Sequence, residues 1–412
     1  MQLTSGHPYW TAKNGFIHTY EPLRDDVDCD VAVLGGGITG ALIAKALVER
    51  GYQTVVVDRR NLGWGSTSAS TALLQYEIDT HLTDLTEMLG RIEAETAYRS
   101  CCDAINRIRD LCADLNAGEY APRKSLYFAS RPRDVARLQA EFAARNACGL
   151  EVEWLTQPEL TLQFDAPAYG GILSHQAAVI DPYQLAHAIW RRLSEAGTRI
   201  FARTTVTDLI SDASGVTLST DRGGRIQCRW AIIAAGYESL SFLAQKPAVT
   251  LHNTFAFATE PIGEFAGWPA DWLLWESARP YIYARSTADR RAIFGGEDIP
   301  FKSPAIRERF LPRKISRLQK RWGTMFPRIP LEVSATWGGT FAETADGLPY
   351  IGVTPQSPRT FFALCYGGNG ITYSAIAAEM AVAALTGERH RCDCIYGLDR
   401  DTSRGRVCRR SA

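Results

Sequence analysis

A chain of 412 residues, 46% of them apolar, is long enough for two or three domains around a large core. Its 45 basic and 45 acidic side chains cancel, which argues against a general binder of nucleic acid or anionic membranes. No apolar run is long enough to span a bilayer, and the first ten residues lack the basic-then-apolar pattern of a secretory signal; a cytoplasmic protein is expected, with its 10 scattered cysteines reduced.

Residues 1–29, including Tyr9, Trp10, Tyr20 and Pro22, read as an arm on the surface of the first domain. Val31 to Leu34 form a short apolar run suited to a buried parallel strand. Gly35, Gly37 and Gly40 then fill the G-x-G-x-x-G spacing, with Ile38 and Thr39 between them. The first glycine permits a tight turn, the second lets a pyrophosphate approach the backbone, and the third lets a helix pack close to the strand. That helix stops at Gly51, and Thr54 to Val57 make a second buried strand ending on Asp58, placed to accept hydrogen bonds from ribose hydroxyls. Strand, glycines, helix, strand and terminal acid in this order mark a dinucleotide site. Arg59 and a loop of small hydroxyl residues, Gly65 to Thr71, follow and can run past a phosphate or a flat ring.

From Ile78 to Asn116 the apolar period becomes helical, with Leu82, Leu85, Leu89, Ile92, Ile105, Ile108, Leu111 and Leu115 on one face and Cys101, Cys102 and Cys112 in the core. Lys124 to Ala129 reads as a strand and Arg133 to Cys148 as a further helix, both breaking the βαβ rhythm. Asp181-Pro182 opens a helix as N-cap and first-turn proline. Strands are expected at Arg199 to Val206, Val216 to Ser219 and Arg229 to Ala234, the last ending on Ala235-Gly236 beside the nucleotide. Further strands follow at Thr254 to Thr259, Tyr281 to Arg285 and Ala292 to Gly296, with a turn at Asp289-Arg290 and a basic helix from Ala305 to Trp322. After the strand Thr360 to Cys365, a second glycine cluster (Gly367, Gly368, Asn369, Gly370) feeds a buried helix starting at Ile371 and Thr372, whose first turn offers free N–H groups to an anion.

The whole is α/β (α+β overall): a Rossmann-like dinucleotide-binding domain from 1–80, 150–245 and 335–412, with an inserted second domain of mixed sheet plus helices from 81–149 and 246–334. These residues resemble one family, the flavin-dependent oxidoreductases of the D-amino acid oxidase, sarcosine oxidase and glycine oxidase type, and within it γ-glutamylputrescine oxidase-like members. The likeness spans the glycine motif, the Gly65 to Thr71 loop, Asp181-Pro182, Ala234 to Gly236, Tyr281 to Asp298, Trp337 to Gly352 and Gly367 to Thr372. It implies FAD as cofactor and the inserted domain as the substrate domain. Gly35, Gly37 and Gly40 would meet the pyrophosphate, with Ile38 and Thr39 beside it, and Asp58 the ribose, with Arg59 next to it. Ser66, Thr67 and Ser68 would pass near the flavin, Val206 would hold the adenine side, and Ala235 and Gly236 would close over the cofactor. Gly338 and the cluster Gly368, Asn369, Gly370, Ile371 and Thr372 would complete the flavin site, the helix end stabilising negative charge at the flavin N1–C2 edge.

The resemblance implies oxidation of a small-molecule amine or amino acid: hydride transfer from the α-carbon to flavin N5, imine hydrolysis, and reoxidation by oxygen with release of hydrogen peroxide. The alternatives are a dehydrogenase passing electrons to a quinone or carrier protein, and a flavin-binding protein without turnover. The chain departs from sarcosine-oxidase-like relatives, having Ala72-Leu73-Leu74-Gln75 where they place a carboxylate-binding arginine. Ile293 or Phe294 takes the place of a lysine that some relatives use with oxygen, and no cysteine or histidine follows the serine loop in the pattern of a covalent flavin. Candidate substrate residues are Arg285 for a carboxylate, Tyr281 and Tyr283 on one strand face, Gln75 and His175. Each has a structural alternative: an arginine bonded to Asp289 or Asp298, tyrosines filling a domain interface, polar residues at strand ends. His390, Cys392, Cys394 and Cys408 fit no common zinc spacing, so no metal is expected.

Overall fold

The computed structural model describes residues 2–400 and contains two large sheets with helices packed against them. In the eight-stranded sheet, Val27–Leu34 lies between Arg225–Ile233 and Thr54–Val57, with Ser357–Leu364 and Arg199–Phe201 outside them, all in parallel register. Val31, Val33, Val55, Val56, Ile232 and Ile233 are fully buried, as a parallel sheet covered on both faces requires. Tyr350–Thr354 closes one edge antiparallel, and Val206–Ser211 and Val216–Thr220 extend Arg225–Ile233 as a hairpin. The helices Ile38–Glu49, Pro182–Glu195 and Gly370–Thr386 share one core with the turn residues above the sheet.

The Pro182–Glu195 helix starts where expected. Asp181 accepts N–H bonds from Tyr183 at 3.1 Å and Gln184 at 2.9 Å, and its other oxygen takes the Asn14 side-chain amide at 2.7 Å.

The ten-stranded sheet runs Thr4–Gly6, Val333–Thr344, Val249–Thr259, Ala292–Pro300, Ile282–Ser286, Trp272–Glu276, Ala121–Phe128, Gly170–Val179 and Leu73–Gln75, with Val152–Thr156 branching from Gly170–Val179. The amphipathic helix Pro304–Met325 covers one face, burying Trp322 and Leu318 against Phe257 and Phe294. This sheet divides the chain differently from the split at 81–149 and 246–334. It takes Val152–Thr156, Gly170–Val179 and most of Val333–Thr344 from segments assigned to the nucleotide domain. Conversely the helix Arg91–Leu115, assigned to the insertion, joins the core of Ile38–Glu49 and Gly370–Thr386. Alternating strands and amphipathic helices show which face is apolar, but not which sheet covers it.

Two local expectations also change. Gly90 at φ 91° breaks the helical stretch into Leu82–Leu89 and Arg91–Leu115. The phase resets there, so Ile92 is 78% exposed while Ala94, Ala97, Tyr98, Cys101, Ile105 and Ile108 face the core. The N-terminal segment is not a surface arm: Thr4–Gly6 pairs with Val333–Thr344, and Trp10 is 1% exposed. The Trp10 indole N–H donates to the Ser70 carbonyl at 2.6 Å, and the Arg285 guanidinium lies 5.4 Å from its ring centre. Tyr9 donates to Asp289 at 2.9 Å, tying the helix Tyr9–Asn14 to the turn after Ile282–Ser286. Trp10→Ala removes a filled volume together with the Ser70 hydrogen bond and the Arg285 contact, and is expected to lower unfolding free energy by about 3–5 kcal/mol in urea denaturation; a change under about 1 kcal/mol would return the segment to the surface role.

Candidate active site

A cavity runs between the two sheets, from the C-terminal ends of Val27–Leu34 and Thr54–Val57 to Ile282–Ser286 and Ala292–Pro300. At its first end the strand leaves Leu34 through Gly35, which turns at φ 118° and donates its N–H to Val57 O at 2.8 Å. A Cβ on Gly35 would lie 2.2 Å from Ala234 O, and one on Gly40 would lie 1.8 Å from Gly35 O. Only glycine lets the helix sit this close to the turn. Gly37 caps the helix Ile38–Glu49, and the Ile38 N–H donates to Thr67 Oγ1 at 3.0 Å. The Trp190 indole holds the turn from outside by donating to Gly36 O at 3.1 Å. Asp58 accepts N–H bonds from Gly36 at 2.7 Å and Arg60 at 2.6 Å; burial raises its carboxyl above the ordinary range against the pull of these bonds. Arg59 and Arg60 pair with Glu238 at 2.8 and 3.1 Å, closing this end.

Of the residues singled out in the sequence, Gly35, Gly37, Ile38, Thr39, Asp58, Arg59, Ser66, Thr67, Val206, Ala235, Gly236, Gly368, Asn369, Gly370 and Ile371 line the cavity together. Four do not. Gly40 packs behind the turn, Ser68 donates back to Gly65 O at 3.0 Å, and Thr372 donates to Asn369 O at 2.7 Å. Gly338 faces Arg307 and Phe255, and its neighbour Gly339 is the one on the cavity, as strand alternation requires.

In the middle of the cavity, the N-terminus of Gly370–Thr386 points its first-turn N–H groups inward. Its approach is held by Asn369, which donates to Gln75 O at 2.8 Å, and by Asp79, which accepts the Gly368 N–H at 3.0 Å. Trp337 donates to Ala69 O at 2.9 Å, fixing the short helix Ser66–Ala69.

The far end is walled by Gln75, Thr254, Trp275, Tyr281 and Tyr283 with three acids, Glu77, Asp79 and Asp298. Gln75 and Trp275 both donate to Ser125 Oγ, at 2.9 and 3.2 Å. The Tyr283 and Thr254 hydroxyls are 3.1 Å apart. Gly295 makes room for Tyr283, because a Cβ there would lie 2.5 Å from its ring. Two candidates fall elsewhere. His175 is exposed on the outer edge of Gly170–Val179, 3.7 Å from Glu153. Arg285 is 2% exposed and binds neither Asp289 nor Asp298; it donates to the carbonyls of Ala72 at 2.8 Å, Ile180 at 2.9 Å and Ser286 at 3.1 Å. Burial, aided by Arg123, lowers its pKa to about 9. With Nε and Nη1 on carbonyls, it ties the strand to the Thr71–Ala72 loop and does not line the cavity.

Asp298 is the residue that sequence alternation hides. Along Ala292–Pro300, Phe294 points to the helix Pro304–Met325 and Gly295 to the cavity, so strict alternation would send Asp298 to the helix. Phe255 pairs with Gly296, yet Asn253 pairs with Ile299, so the strand carries one extra residue. At this bulge Glu297 has φ 58° and binds Lys314 on the helix at 2.8 Å, and Asp298 turns to the cavity. Glu77, Asp79, Tyr237 and Tyr366 also line the cavity without having been singled out; the one signal for Glu77 was an acid between the apolar Tyr76 and Ile78.

Behind Glu77 lies a buried charge cluster. Arg145 donates through Nε to Glu141 at 2.7 Å and stands 3.8 Å from Glu77. Glu141 also accepts the N–H groups of Leu82 at 3.0 Å and Thr83 at 3.1 Å. Burial alone would raise the Glu141 carboxyl, but Arg145, His81 and these bonds hold it down at about 2. His81 shares a 3.0 Å bond with Tyr127, and burial lowers its pKa to about 4. At the carboxyl end, His390 pairs with Glu379 at 3.5 Å, Cys394 is exposed, and Cys408 lies outside the described residues. Among the described residues no three His, Cys, Asp or Glu side chains are grouped to hold a metal, and no helix is long and apolar enough to cross a membrane.

Comparison with known proteins agrees with this geometry. The family model described as FAD dependent oxidoreductase (DAO) matches residues 30–384. The chain belongs to this family. As an FAD-dependent oxidoreductase it is 23% identical over 411 residues to "Gamma-glutamylputrescine oxidoreductase" of Escherichia coli (strain K12), covering 95% of this chain and 91% of that one. To "Glycine oxidase" of Geobacillus kaustophilus it is 24% identical over 355 residues, covering 84% and 90%. The crystal structure of glycine oxidase from that organism superposes with a TM-score of 0.77 at 19% identity over 91% of this chain and 99% of that one. The L-amino acid deaminase of Proteus vulgaris gives 0.76 at 17% identity over 94% and 100%.

FAD is the cofactor of this oxidoreductase, and the cavity fits it: a turn with no room for Cβ atoms, an acid one strand away, and two helix N-termini facing one space. Gly40→Ala pushes the helix off the turn, and purified protein is expected to carry at most about a tenth of the normal FAD absorbance; full FAD content would show that the turn does not need that contact. His81, at about 4 in the fold against 6.5 unfolded, makes the unfolded chain the better proton acceptor, so stability is complete above pH 6.5 and falls by about 3 kcal/mol as pH drops to 4. Glu141, held at about 2, adds a second loss between pH 4.5 and 2. In urea midpoints against pH, His81→Phe should flatten the upper step and, because protonated His81 helps hold Glu141 down, shrink the lower one without abolishing it.

Proposed function

We propose that this oxidoreductase oxidises a small amine at the carbon bearing nitrogen, yielding an imine that water hydrolyses to a carbonyl compound and a smaller amine or ammonia. The adenosine half of FAD would lie along Asp58 and Val206, the pyrophosphate against Gly35 and Gly37, and the flavin between Ser66–Thr67 and Gly370–Ile371. When bound, FAD supplies the two-electron acceptor for the hydride leaving that carbon. The chain's part is to place and shield. The first-turn N–H groups at Gly370 and Ile371 offer fixed donors where negative charge would grow, at no cost of reorganisation. Tyr281, Tyr283 and Trp275 wall off water and hold the substrate flat, and Gln75 is locked on Ser125 beside them. The relatives' names, a glutamylputrescine oxidoreductase, a glycine oxidase and an L-amino acid deaminase, all concern nitrogen compounds and support the class.

One observation carries the reading to an amine: no lysine, arginine or histidine lines the substrate end among the described residues, whereas three acids and three aromatic rings do. Anaerobic mixing of the FAD-loaded protein with a panel of amines and amino acids should bleach the flavin absorbance with amines. Recovery within seconds of admitting air would make oxygen the acceptor; slow recovery would assign the electrons to a quinone or carrier protein. If no compound bleaches the flavin, the amine assignment falls.

A further inference from the structure

We propose that Asp298 is the counter-ion of the substrate's ammonium group, so that this enzyme selects alkylammonium substrates with no carboxylate on the reacting carbon. The inference rests on the amine reading above and names the recognition element within it. Asp298 Oδ1 is buried without a hydrogen-bond partner, and so are both oxygens of Glu77, a residue only 4% exposed on the same wall. Buried carboxyl oxygens left without donors are costly, and both residues line the cavity, Glu77 with Arg145 3.8 Å behind it. A substrate N–H donor is the chemistry that would satisfy them.

The surrounding charges point the same way. Asp298 faces Asp79 before the helix Leu82–Leu89, Glu343 on Val333–Thr344, and Tyr281 and Tyr283 around Ile282–Ser286, with the Thr254 hydroxyl beside it. Lys314, the lysine that acts on Asp298, sits on the helix side of the sheet, pairs with Glu297 at 2.8 Å and does not line the cavity. Arg279 lies over the Tyr281 ring at 4.8 Å but does not line the cavity. A carboxylate brought to this end would meet three acids and no lysine, arginine or histidine, while an ammonium would meet Asp298 and the faces of Tyr281, Tyr283 and Trp275. Without a cation present, burial and then Asp79 and Glu343 push the Asp298 carboxyl up to about 7. It therefore takes its charge near neutrality, and an ammonium bound there pulls it to the ionised form.

The test uses two probes that share a tert-butyl group on the FAD-loaded protein: tert-butylammonium, which has no hydrogen on the carbon bearing nitrogen and cannot be oxidised, and pivalate, its anionic counterpart. Binding is followed by calorimetry and by perturbation of the flavin absorbance at pH 8. Saturable binding of tert-butylammonium and none of pivalate is expected, with Asp298→Asn raising the dissociation constant at least about tenfold. In the native protein the dissociation constant should rise about tenfold per pH unit below about 7 and level off above it, because the alkylammonium stays protonated throughout while Asp298 loses its charge. That profile decides the matter even if the variant fails to retain FAD. Pivalate binding as tightly as tert-butylammonium, or a profile flat from pH 5 to 8, would overturn the proposal. The two readings fail separately: amines that bleach the flavin while pivalate is the better probe leave amine oxidation standing and remove the Asp298 site. Tert-butylammonium binding with the expected pH profile, while no amine bleaches the flavin, does the reverse.

Discussion

The contact between Gly40 and the Gly35 carbonyl is the constraint on which the site depends. With no Cβ at either position, the helix Ile38–Glu49 lies against the strand end, and its N-terminus is delivered to the cavity. The same closeness brings it against Gly370–Thr386, where Ala41, Ala44, Ala375 and Ala378 are buried, and Thr39 and Ser374 share a 2.8 Å hydrogen bond between the two helices. Two helix N-termini, more than three hundred residues apart in the chain, thus face one space. The parallel sheet below positions them, and neighbouring side chains keep the turns in place: Trp190 on Gly36, Trp337 on Ala69, Trp10 on Ser70.

The far end of the cavity is built on a different principle. The ten-stranded sheet brings Tyr281, Tyr283 and Trp275 to one face, and a single bulge at Glu297 adds Asp298 to them. Glu77 is held by burial next to Arg145, whose charge is already shared with Glu141. Such a cluster is not a source of net stability, since desolvating three charges costs more than their attraction readily returns. What it does is keep acid oxygens at the cavity wall while supplying no cation to the cavity itself. Arg285 shows the converse: a buried arginine on the same sheet, with its donors on carbonyls, holds the loop beneath Trp10 and contributes nothing to the cavity.

Legibility in the sequence followed the range of the interaction. The glycine turn, Asp58 and the Gly367 to Gly370 cluster were readable because each acts through its own backbone and near neighbours, as was the Asp181-Pro182 cap. The residues expected to hold the cofactor line the cavity except Gly40, Ser68, Gly338 and Thr372, which sit one step behind it. The candidate substrate residues were harder to read. Tyr281, Tyr283 and Gln75 do face the cavity, but nothing local separates them from His175, which a different strand turns outward, or from Arg285, which three carbonyls claim.

By itself, then, the sequence determined the α/β architecture, the dinucleotide cradle and the membership in an FAD-dependent family, since short-range geometry and hydrophobic period specify these. Only the tertiary structure decided where the two sheets divide the chain, that the N-terminal segment is an integral strand and anchor, and that Asp298 and Glu77 line the cavity. The reason is physical: a one-residue bulge reverses every side chain beyond it, and a buried charge is visible only once its surroundings are assembled.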